Sequence, residues 1–235
     1  RQLYNSVDFA VFDFDKKKSK QHIRKEFGLS EHDVVIVLLG SVQKVKGHFL
    51  LVDSAKSLVK NFKVNIKFLL VGGLPSKGSN KNWKWKVKNI LSIPQNNYQR
   101  LKDYIKMKEL QKYFIFSRYR TDIPKILSAS DIIVFPSLLE EGFGRPLIEG
   151  MASGKPVITS AIGPSYEIVG DEAGLYITPN NSDDLASAIS SLIYDAKLRN
   201  RMGKSGVNRV SKYFNSTVNN KIFLNLINKY SIDRL

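Results

Sequence analysis

Residues 130–160 read SDIIVFPSLLEEGFGRPLIEGMASGKPVITS, and the fold class can be inferred from this segment. Two short apolar runs, at 132–135 and 156–159, enclose a glycine-rich loop and a helical segment at 146–152. Both runs lack polar alternation, which is typical of parallel strands covered by helices on both faces. The stretch therefore predicts a strand–loop–helix–strand unit, the building block of a doubly wound sheet.

The same alternation extends outward in both directions from this unit. Further strands are predicted at 34–39, 66–71 and 114–116, and further helices at 20–27, 49–59, 98–112, 122–128, 183–194, 198–202 and 217–230. We therefore expect an α/β fold: a doubly wound, Rossmann-like parallel sheet with helices on both faces. Ligands of such sheets bind at the carboxyl ends of the strands, so the loops there are the candidates for chemistry.

Composition restricts the class of protein. Of the 235 residues, 43% are hydrophobic and 25% are charged, which is the profile of a soluble globular chain. Because cysteine is absent, disulfides, thiolate metal sites and cysteine nucleophiles are excluded. The three histidines (His22, His32 and His48) do not form a zinc-binding pattern, and no apolar run is long enough for a membrane helix.

We interpret residues 1–235 as one domain. It has a lead-in segment at 1–33, a basic insertion at 74–97 and a C-terminal helix at 217–235. Since the first residue is Arg rather than Met, we expect the chain to be a piece of a longer protein.

The net charge of +16 indicates an anionic ligand or surface. Residues 77–112 contain ten Lys and Arg against two acids, a local charge of +8, and both tryptophans (Trp83 and Trp85) lie among them. Basic residues beside Trp suit a membrane interface or stacked nucleic acid. The alternatives are an anion- or nucleic-acid-binding module and a solvated basic face, and the solvated face is the simpler explanation.

The first candidate loop is GSVQKVKG at 40–47, between a predicted strand and a predicted helix. Gly40 permits close approach of the backbone to a ligand, and Gly47 precedes a helix whose N-terminal amides attract phosphate. Lys46 adds a positive charge beside them. The loop matches neither a P-loop nor GxGxxG, so alone it indicates only a strand-to-helix turn.

The second candidate loop, at 136–144, leads into a helix with Pro146 in its first turn. Gly142 and Gly144 free backbone amides to point at an anion or a sugar hydroxyl. Glu149, one turn into the helix, can accept hydrogen bonds from ribose hydroxyls, and Glu141 at the loop tip can hold those of a second ring. Two solvated acids at a helix start are the alternative, but they do not explain the glycines and the proline.

Taken in order, these segments resemble the C-terminal, nucleotide-sugar-binding domain of retaining glycosyltransferases of the GT-B fold, family 4 (glycosyl transferases group 1). The resemblance rests on the Glu-x7-Glu pattern of Glu141 and Glu149 within EGFGRPLIE. It extends to SDIIVFPS (130–137), GMASGKPVITS (150–160), GSVQKVKG (40–47), FLLVGG (68–73), GPSYEIV (163–169), AGLYITPNNSDDLASAI (173–189) and NSVD (5–8). The chain is thus similar to one half of a GT-B architecture.

The resemblance implies roles for individual residues. Glu141, the candidate catalytic residue, contacts the transferred sugar, and Glu149 binds the donor ribose. Lys46 neutralises the diphosphate, Ser117, Arg118 and Tyr119 line the base pocket, and the remaining donor-binding candidates are Ser41, Lys44, Gly142, Phe143, Gly144 and Arg145. Many relatives carry Arg where this chain has Ser41, and Lys44 is the substitute charge within reach in sequence.

The resemblance also implies an activity and its partners. A hexosyl group passes, with retention, from a nucleoside-diphosphate sugar to a glycan or lipid-linked acceptor held by an N-terminal domain that this chain lacks. No metal or cofactor is expected, and the chain alone is expected to turn over little. We expect a cytoplasmic location. The charge of the basic insertion, rather than the resemblance, suggests the hypothesis of peripheral attachment to an anionic membrane; nucleic acid is not favoured. An epimerase or phosphorylase of the same architecture is the alternative reaction.

Overall fold

A computed structural model describes residues 3–61, 65–72 and 96–232. The basic insertion predicted at 74–97, including Trp83 and Trp85, lies almost wholly outside these residues. Within them, six parallel strands form one sheet in the order β3-β2-β1-β4-β5-β6. The strands are β1 (Val34–Leu39), β2 (Ile66–Val71), β3 (Phe114–Ser117), β4 (Ile132–Phe135), β5 (Val157–Ser160) and β6 (Gly174–Ile177).

Helices cover both faces of this sheet, so the predicted doubly wound α/β fold is confirmed. The helices of the described residues are α1 (Lys16–Glu26), α2 (His48–Asn61), α3 (Asn96–Met107), α4 (Ile123–Ala129), α5 (Arg145–Ala152), α6 (Ser165–Val169), α7 (Ser182–Tyr194), α8 (Ala196–Tyr213) and α9 (Ser216–Ile232).

The central strand β1 shows how the sequence builds two cores. Ile36 and Leu38 point to the face covered by α2, α3 and α7, whereas Val35 and Val37 point to the face covered by α1, α4, α5 and α8. All four side chains are buried, because neighbouring residues of a strand face opposite sides of a sheet. A strand covered on both sides must be apolar throughout, and this is why VVIVLL carries no polar residue.

Strand β6 and helices α3 and α1 are among the elements that differ from the predictions. Strand β6 was not predicted, since its GLYI sequence is short, begins with Gly and is only half-buried at the sheet edge. Helix α3 ends at Met107 instead of continuing to 112, because Glu109 adopts a left-handed conformation with φ of 60°. Helix α1 begins at Lys16, four residues early, because the Asp15 side chain accepts a hydrogen bond from the Lys18 amide.

The N-terminal segment is fixed to the other end of the described chain. Val7 forms a parallel bridge with Asn215: its amide donates to the Phe214 carbonyl at 2.9 Å, and its carbonyl accepts from the Ser216 amide at 3.0 Å. The Asn219 side chain donates to the Tyr4 carbonyl at 3.1 Å. These bonds hold residues 4–8 across the sheet edge where the strands end.

In the ranges that the structure describes, no helix combines the length and the apolar character that crossing a bilayer demands.

Candidate functional site

A crevice opens where β1 and β4 lie side by side at the centre of the sheet. After β1 the chain turns to α2 on one face, and after β4 it turns to α5 on the other. The loops at 40–47 and 136–144 therefore diverge, which creates the topological switch point where α/β sheets bind ligands. They remain in contact at their base, where the Leu138 amide donates to the Val45 carbonyl at 2.8 Å.

Two glycines allow the backbones around this crevice to meet. A Cβ on Gly47, which has φ of +72°, would lie 2.0 Å from the Pro136 carbonyl oxygen. A Cβ on Gly72, with φ of +135°, would lie 2.2 Å from the Gly40 carbonyl oxygen. Both positions need glycine for conformation and for space. The loops after β1, β2 and β4 thus form one continuous backbone floor.

The main crevice is a cavity of about 700 Å³ above this floor. Four of the predicted donor-binding residues line it: Ser41, Tyr119, Arg145 and Glu149. Its volume lies in the range of small-molecule sites. Predicted residues from segments that are far apart in the sequence therefore line one cavity.

Helix α5 positions Glu149 at the wall of the main crevice. Gly144 precedes the helix with φ of +70°, its carbonyl accepts from the Leu147 amide at 2.9 Å, and Pro146 occupies the first turn. Arg145, one turn before Glu149, donates from Nε to Glu149 Oε1 at 2.7 Å. The Glu149 side chain is 16% exposed and that of Arg145 is 74% exposed, so the carboxylate is sheltered while its partner faces solvent.

Glu141 is held by the first loop rather than left free at the loop tip. Its carboxylate accepts hydrogen bonds from the Lys46 amine and from the Ser137 hydroxyl. The Lys46 amine also lies 5.5 Å from the centre of the Phe135 ring, a cation–π arrangement. The lysine predicted to meet a diphosphate is thus paired with the carboxylate predicted to meet a sugar.

The predicted residues around Glu141 line a second, small cavity of about 20 Å³. Phe143 and Gly144 share it with Glu141, together with Ser137 and the Thr159–Ser160 end of β5. This volume is too small for a sugar ring. The structure therefore divides the predicted site into Glu149 in the main crevice and Glu141 beside it.

Five predicted residues line neither cavity within the described ranges: Lys44, Lys46, Gly142, Ser117 and Arg118. Lys44, Gly142 and Arg118 are exposed. Ser117 is buried at the end of β3, where its hydroxyl donates to the Arg118 carbonyl at 3.2 Å.

The sequence analysis missed two parts of the crevice wall. Val7, Asp8, Val11 and Phe12 of the N-terminal segment line it, and only the NSVD match at 5–8 hinted at this. Arg120 also lines it, but Glu26 and Asp122 both bind this guanidinium. The hydrogen bonds from Arg120, together with its charge, lower the pKa of Asp122, and the hydrogen bonds to the two carboxylates raise the pKa of Arg120.

His48 lies directly behind the first loop, at the start of α2. The residue is 1% exposed and neither ring nitrogen completes a hydrogen bond. Burial lowers the pKa of His48 to about 4; backbone groups of Gln43 and Gly40 approach the ring and oppose this shift, while the Lys46 charge adds to it. The imidazole is therefore neutral at pH 7, and it stands behind the loop without lining the main crevice.

Among the residues placed by the structure, no group of three or more His, Asp or Glu side chains is arranged to hold a metal ion. Three positive side chains around the crevice, Lys46, Arg120 and Arg145, are each bound to a carboxylate.

The family model described as "Glycosyl transferases group 1" matches residues 19–209. The chain belongs to this family. The resemblance drawn from the Glu-x7-Glu segment is confirmed, and the group 1 assignment favours a glycosyltransferase over the epimerase, phosphorylase and basic-module alternatives.

Relatives of this group 1 chain agree with the assignment. It is 27% identical to the capsular polysaccharide biosynthesis glycosyltransferase CapM of Staphylococcus aureus, over 91% of this chain and 50% of CapM. It is 26% identical to the C-terminal domain of LpcC, a glycosyl transferase group 1 family protein of Francisella tularensis, with a TM-score of 0.70, covering 89% of this chain and 99% of that domain.

The fold is also shared with Anabaena HepE, solved in complex with UDP-glucose. The TM-score is 0.82 at 22% identity, covering 97% of this chain and 57% of HepE. The group 1 chain spans about half the length of the curated relatives that it matches.

Proposed function

We propose that the chain is the donor-binding half of a retaining glycosyltransferase. The whole enzyme transfers a hexosyl group from a nucleoside-diphosphate sugar to a glycan or lipid-linked acceptor. The observation that carries this proposal is the sheltered Glu149 carboxylate in a cavity of about 700 Å³ at the sheet's switch point. A carboxylate in that position accepts hydrogen bonds from the two ribose hydroxyls of a nucleotide.

The remaining roles follow from the arrangement of charge. Lys46 reaches the diphosphate, with Ser41 and Lys44 on the same loop and Arg145 opposite them. A diphosphate competes with Glu141 for the Lys46 amine, and the released Glu141 carboxylate is then available to sugar hydroxyls. Donor binding therefore exchanges the partner of Lys46 from Glu141 to the diphosphate, and the same exchange frees Glu141, the candidate catalytic residue, to contact the sugar.

The backbone supplies the rest of the donor contacts. Amides of Gly142, Phe143 and Gly144 bind sugar and phosphate, while Ser117, Arg118 and Tyr119 surround the base. Positive side chains and amides stabilise the leaving diphosphate, so the reaction proposed here needs neither metal nor cofactor. The acceptor binds to a second domain outside this chain, and we expect the chain alone to bind donor with little turnover.

Titration of UDP-, GDP- and ADP-sugars, followed by ligand-observed NMR, tests the donor site. HepE, which has the same fold, was solved with UDP-glucose, so UDP-glucose is the first member of the panel. We expect one nucleotide class to bind selectively and Glu149→Ala to lower its affinity about tenfold or more, the loss of hydrogen bonds to a charged group.

The matched control is Glu140→Ala. Glu140 is an exposed acid of the 136–144 loop, which leads into helix α5, and it lines neither cavity in the described part of the chain. Equal weakening by both variants would show a general effect of charge, and unchanged affinity in Glu149→Ala would refute the ribose assignment.

We propose, as a finer point, that the enzyme attaches peripherally to an anionic membrane on its cytoplasmic side. The support is the sequence at 77–112, whose charge of +8 surrounds two tryptophans. Flotation with phosphatidylglycerol vesicles tests it: replacing Lys84, Lys86 and Lys88 by Gln should reduce the bound fraction. An unchanged bound fraction would remove this part of the proposal.

A further inference from the structure

A second cavity, of about 290 Å³, lies between the start of α1 and helix α4. We call it the lysine cavity: Lys16, Lys17, Lys20 and Lys155 line it, together with the rings of Phe12 and Phe14. Among the residues that the structure describes, no carboxylate lines it. It adjoins the main crevice, because Phe12 and Pro124 contribute to both walls.

Lys155 distinguishes this cavity from an ordinary solvated basic surface. Its amine is turned inward and donates to the carbonyls of Ser130, at 2.6 Å, and Ser128, at 3.4 Å, at the end of α4. Burial lowers the pKa of Lys155 to about 8, and the Asp131 charge opposes this shift. The charges of Lys20, Arg24 and Lys16 lower it further, so like charges converge on this point.

The carboxylate of Asp131, which lies near Lys155, does not neutralise the charges of these lysines. Asp131 Oδ2 accepts from Arg24 Nη2 at 3.0 Å and from the Val35 amide at 2.9 Å. Its charge is thus shared with a guanidinium whose side chain is only 4% exposed. The positive charges of the lysines around the cavity therefore outnumber the negative charge that Asp131 supplies.

The other polar groups of the wall leave the lysines as the donors for a ligand. The Ser128 hydroxyl donates to the Lys125 carbonyl at 2.6 Å, and the Ser153 hydroxyl donates to the Glu149 carbonyl at 3.0 Å. Helix α1 also begins here, and the Asp15 carboxylate caps its N-terminus by accepting from the Lys18 amide at 2.9 Å. Phe12, Phe14 and Pro124 supply an apolar wall that strengthens electrostatic attraction by excluding water.

We propose that the lysine cavity is a second anion-binding site, separate from the donor crevice, which binds the phosphate group of a small phosphomonoester with an apolar portion. A dianion there satisfies lysine amines that have too few acidic partners, and the apolar portion packs against the two phenylalanines. The volume is at the lower limit of small-molecule pockets, which suits one phosphate and a small body rather than a polymer.

The first test is calorimetric titration of phenyl phosphate and inorganic phosphate into the chain at pH 7. We expect phenyl phosphate to bind more tightly than inorganic phosphate, since only it uses the apolar wall. Lys16→Gln with Lys20→Gln should weaken phenyl phosphate binding about tenfold or more. Amide shifts in ¹H–¹⁵N spectra should concentrate at Ser128, Ser153 and Lys155 rather than at Ser41 and Glu149.

The matched control is Lys18→Gln with Lys25→Gln. These lysines are exposed on the same helix, carry the same charge and do not line the cavity. The proposal is overturned if the two double variants weaken binding equally, or if phenyl phosphate shifts only the residues of the donor crevice. Because UDP-sugar binding is measured in the same variants and should be unchanged, failure here is distinguishable from failure of the proposed function.

A second arm separates a lipid phosphate from a soluble one. Flotation compares vesicles of phosphatidylcholine with vesicles that also contain phosphatidic acid. Binding to phosphatidic acid that Lys16→Gln with Lys20→Gln abolishes supports a lipid headgroup as the source. Binding of phenyl phosphate without such flotation supports a soluble phosphomonoester, and absence of both refutes the site.

Discussion

Acidification should destabilise the fold through His48, and replacing this residue by Phe should remove much of the effect. The imidazole is buried without a completed hydrogen bond behind the 40–47 loop, and burial lowers its pKa to about 4. In the unfolded chain the same group titrates near its ordinary value of 6.5. Between these two values the unfolded state binds more protons than the folded state, so stability falls as the pH decreases.

The magnitude follows from the size of the pKa shift. One unit is worth about 1.4 kcal/mol, so the full effect below pH 4 is about 3 kcal/mol. Integrated only from pH 7 to pH 4.5, the loss from this one residue is about 2 kcal/mol. A domain with typical stability of about 5–15 kcal/mol loses a measurable fraction of it.

Urea denaturation at pH 7.0, 6.0, 5.0 and 4.5 measures this effect, with the free energy of unfolding compared between the wild-type chain and His48→Phe. Other titrating groups contribute to both proteins, so the difference between the two curves isolates His48. His22→Phe, at an exposed position on α1, is the control and should follow the wild type. Parallel curves for wild type and His48→Phe would refute the reasoning.

Three further perturbations test other features. Gly72→Ala places a Cβ 2.2 Å from the Gly40 carbonyl oxygen at φ of +135°, so it should lower the free energy of unfolding, measured in urea, by about 2 kcal/mol or more. Gly142→Ala has open space around its Cβ and should change this free energy by less than about 0.5 kcal/mol. Equal values for the two variants would contradict the backbone contact. Arg24→Met leaves Asp131 without its buried partner and should cost about 3 kcal/mol, with part regained in Arg24→Met combined with Asp131→Asn; no recovery in the double variant would argue against the ion pair as the cause. Lys46→Met should weaken UDP-sugar binding about tenfold in the NMR titration, and Lys56→Met, at an exposed position of α2, should not; similar affinities in both variants would remove Lys46 from the diphosphate site.

The strands of the central sheet were predictable because burial on both faces leaves a local signature. VVIVLL and IIVF are apolar at every position, and a short run of that kind has few other uses in a soluble chain. Strand β6 lacks the signature, since an edge strand needs less apolar surface. Local composition therefore identified the central strands and the apolar edge strand β3, but not the edge strand β6, which begins with Gly.

Helix α8 shows the opposite failure, where a local rule was overridden by packing. The predicted helix covered only 198–202, and the residues that follow include Gly203 and Gly206, a type that disfavours helix interiors. In the structure the helix continues to Tyr213. A Cβ on Gly203 would lie 2.1 Å from the Gly154 carbonyl oxygen, so the glycines serve close approach to the end of α5.

The sequence predicted which residues form the candidate site, but not that Glu149 and Glu141 lie at two separate cavities. The Glu-x7-Glu segment placed Glu149 one turn into a helix, and that is where it lies. The pairing of Glu141 with Lys46 joins residues 95 positions apart, and no periodicity encodes such a contact. The same holds for the wall that Val7 and Asp8 contribute, which depends on the bridge to Asn215.

That bridge sets the order in which the crevice can be completed during synthesis. Tyr4 and Asn219, which are bonded through the Tyr4 carbonyl, stand 215 residues apart. A ribosome adds about 5–20 residues per second, so roughly ten to forty seconds pass between the synthesis of residues 4–8 and that of their partners at 214–219. Until then the crevice lacks one wall, so a nascent chain has the loops at 40–47 and 136–144 before the crevice between them is enclosed.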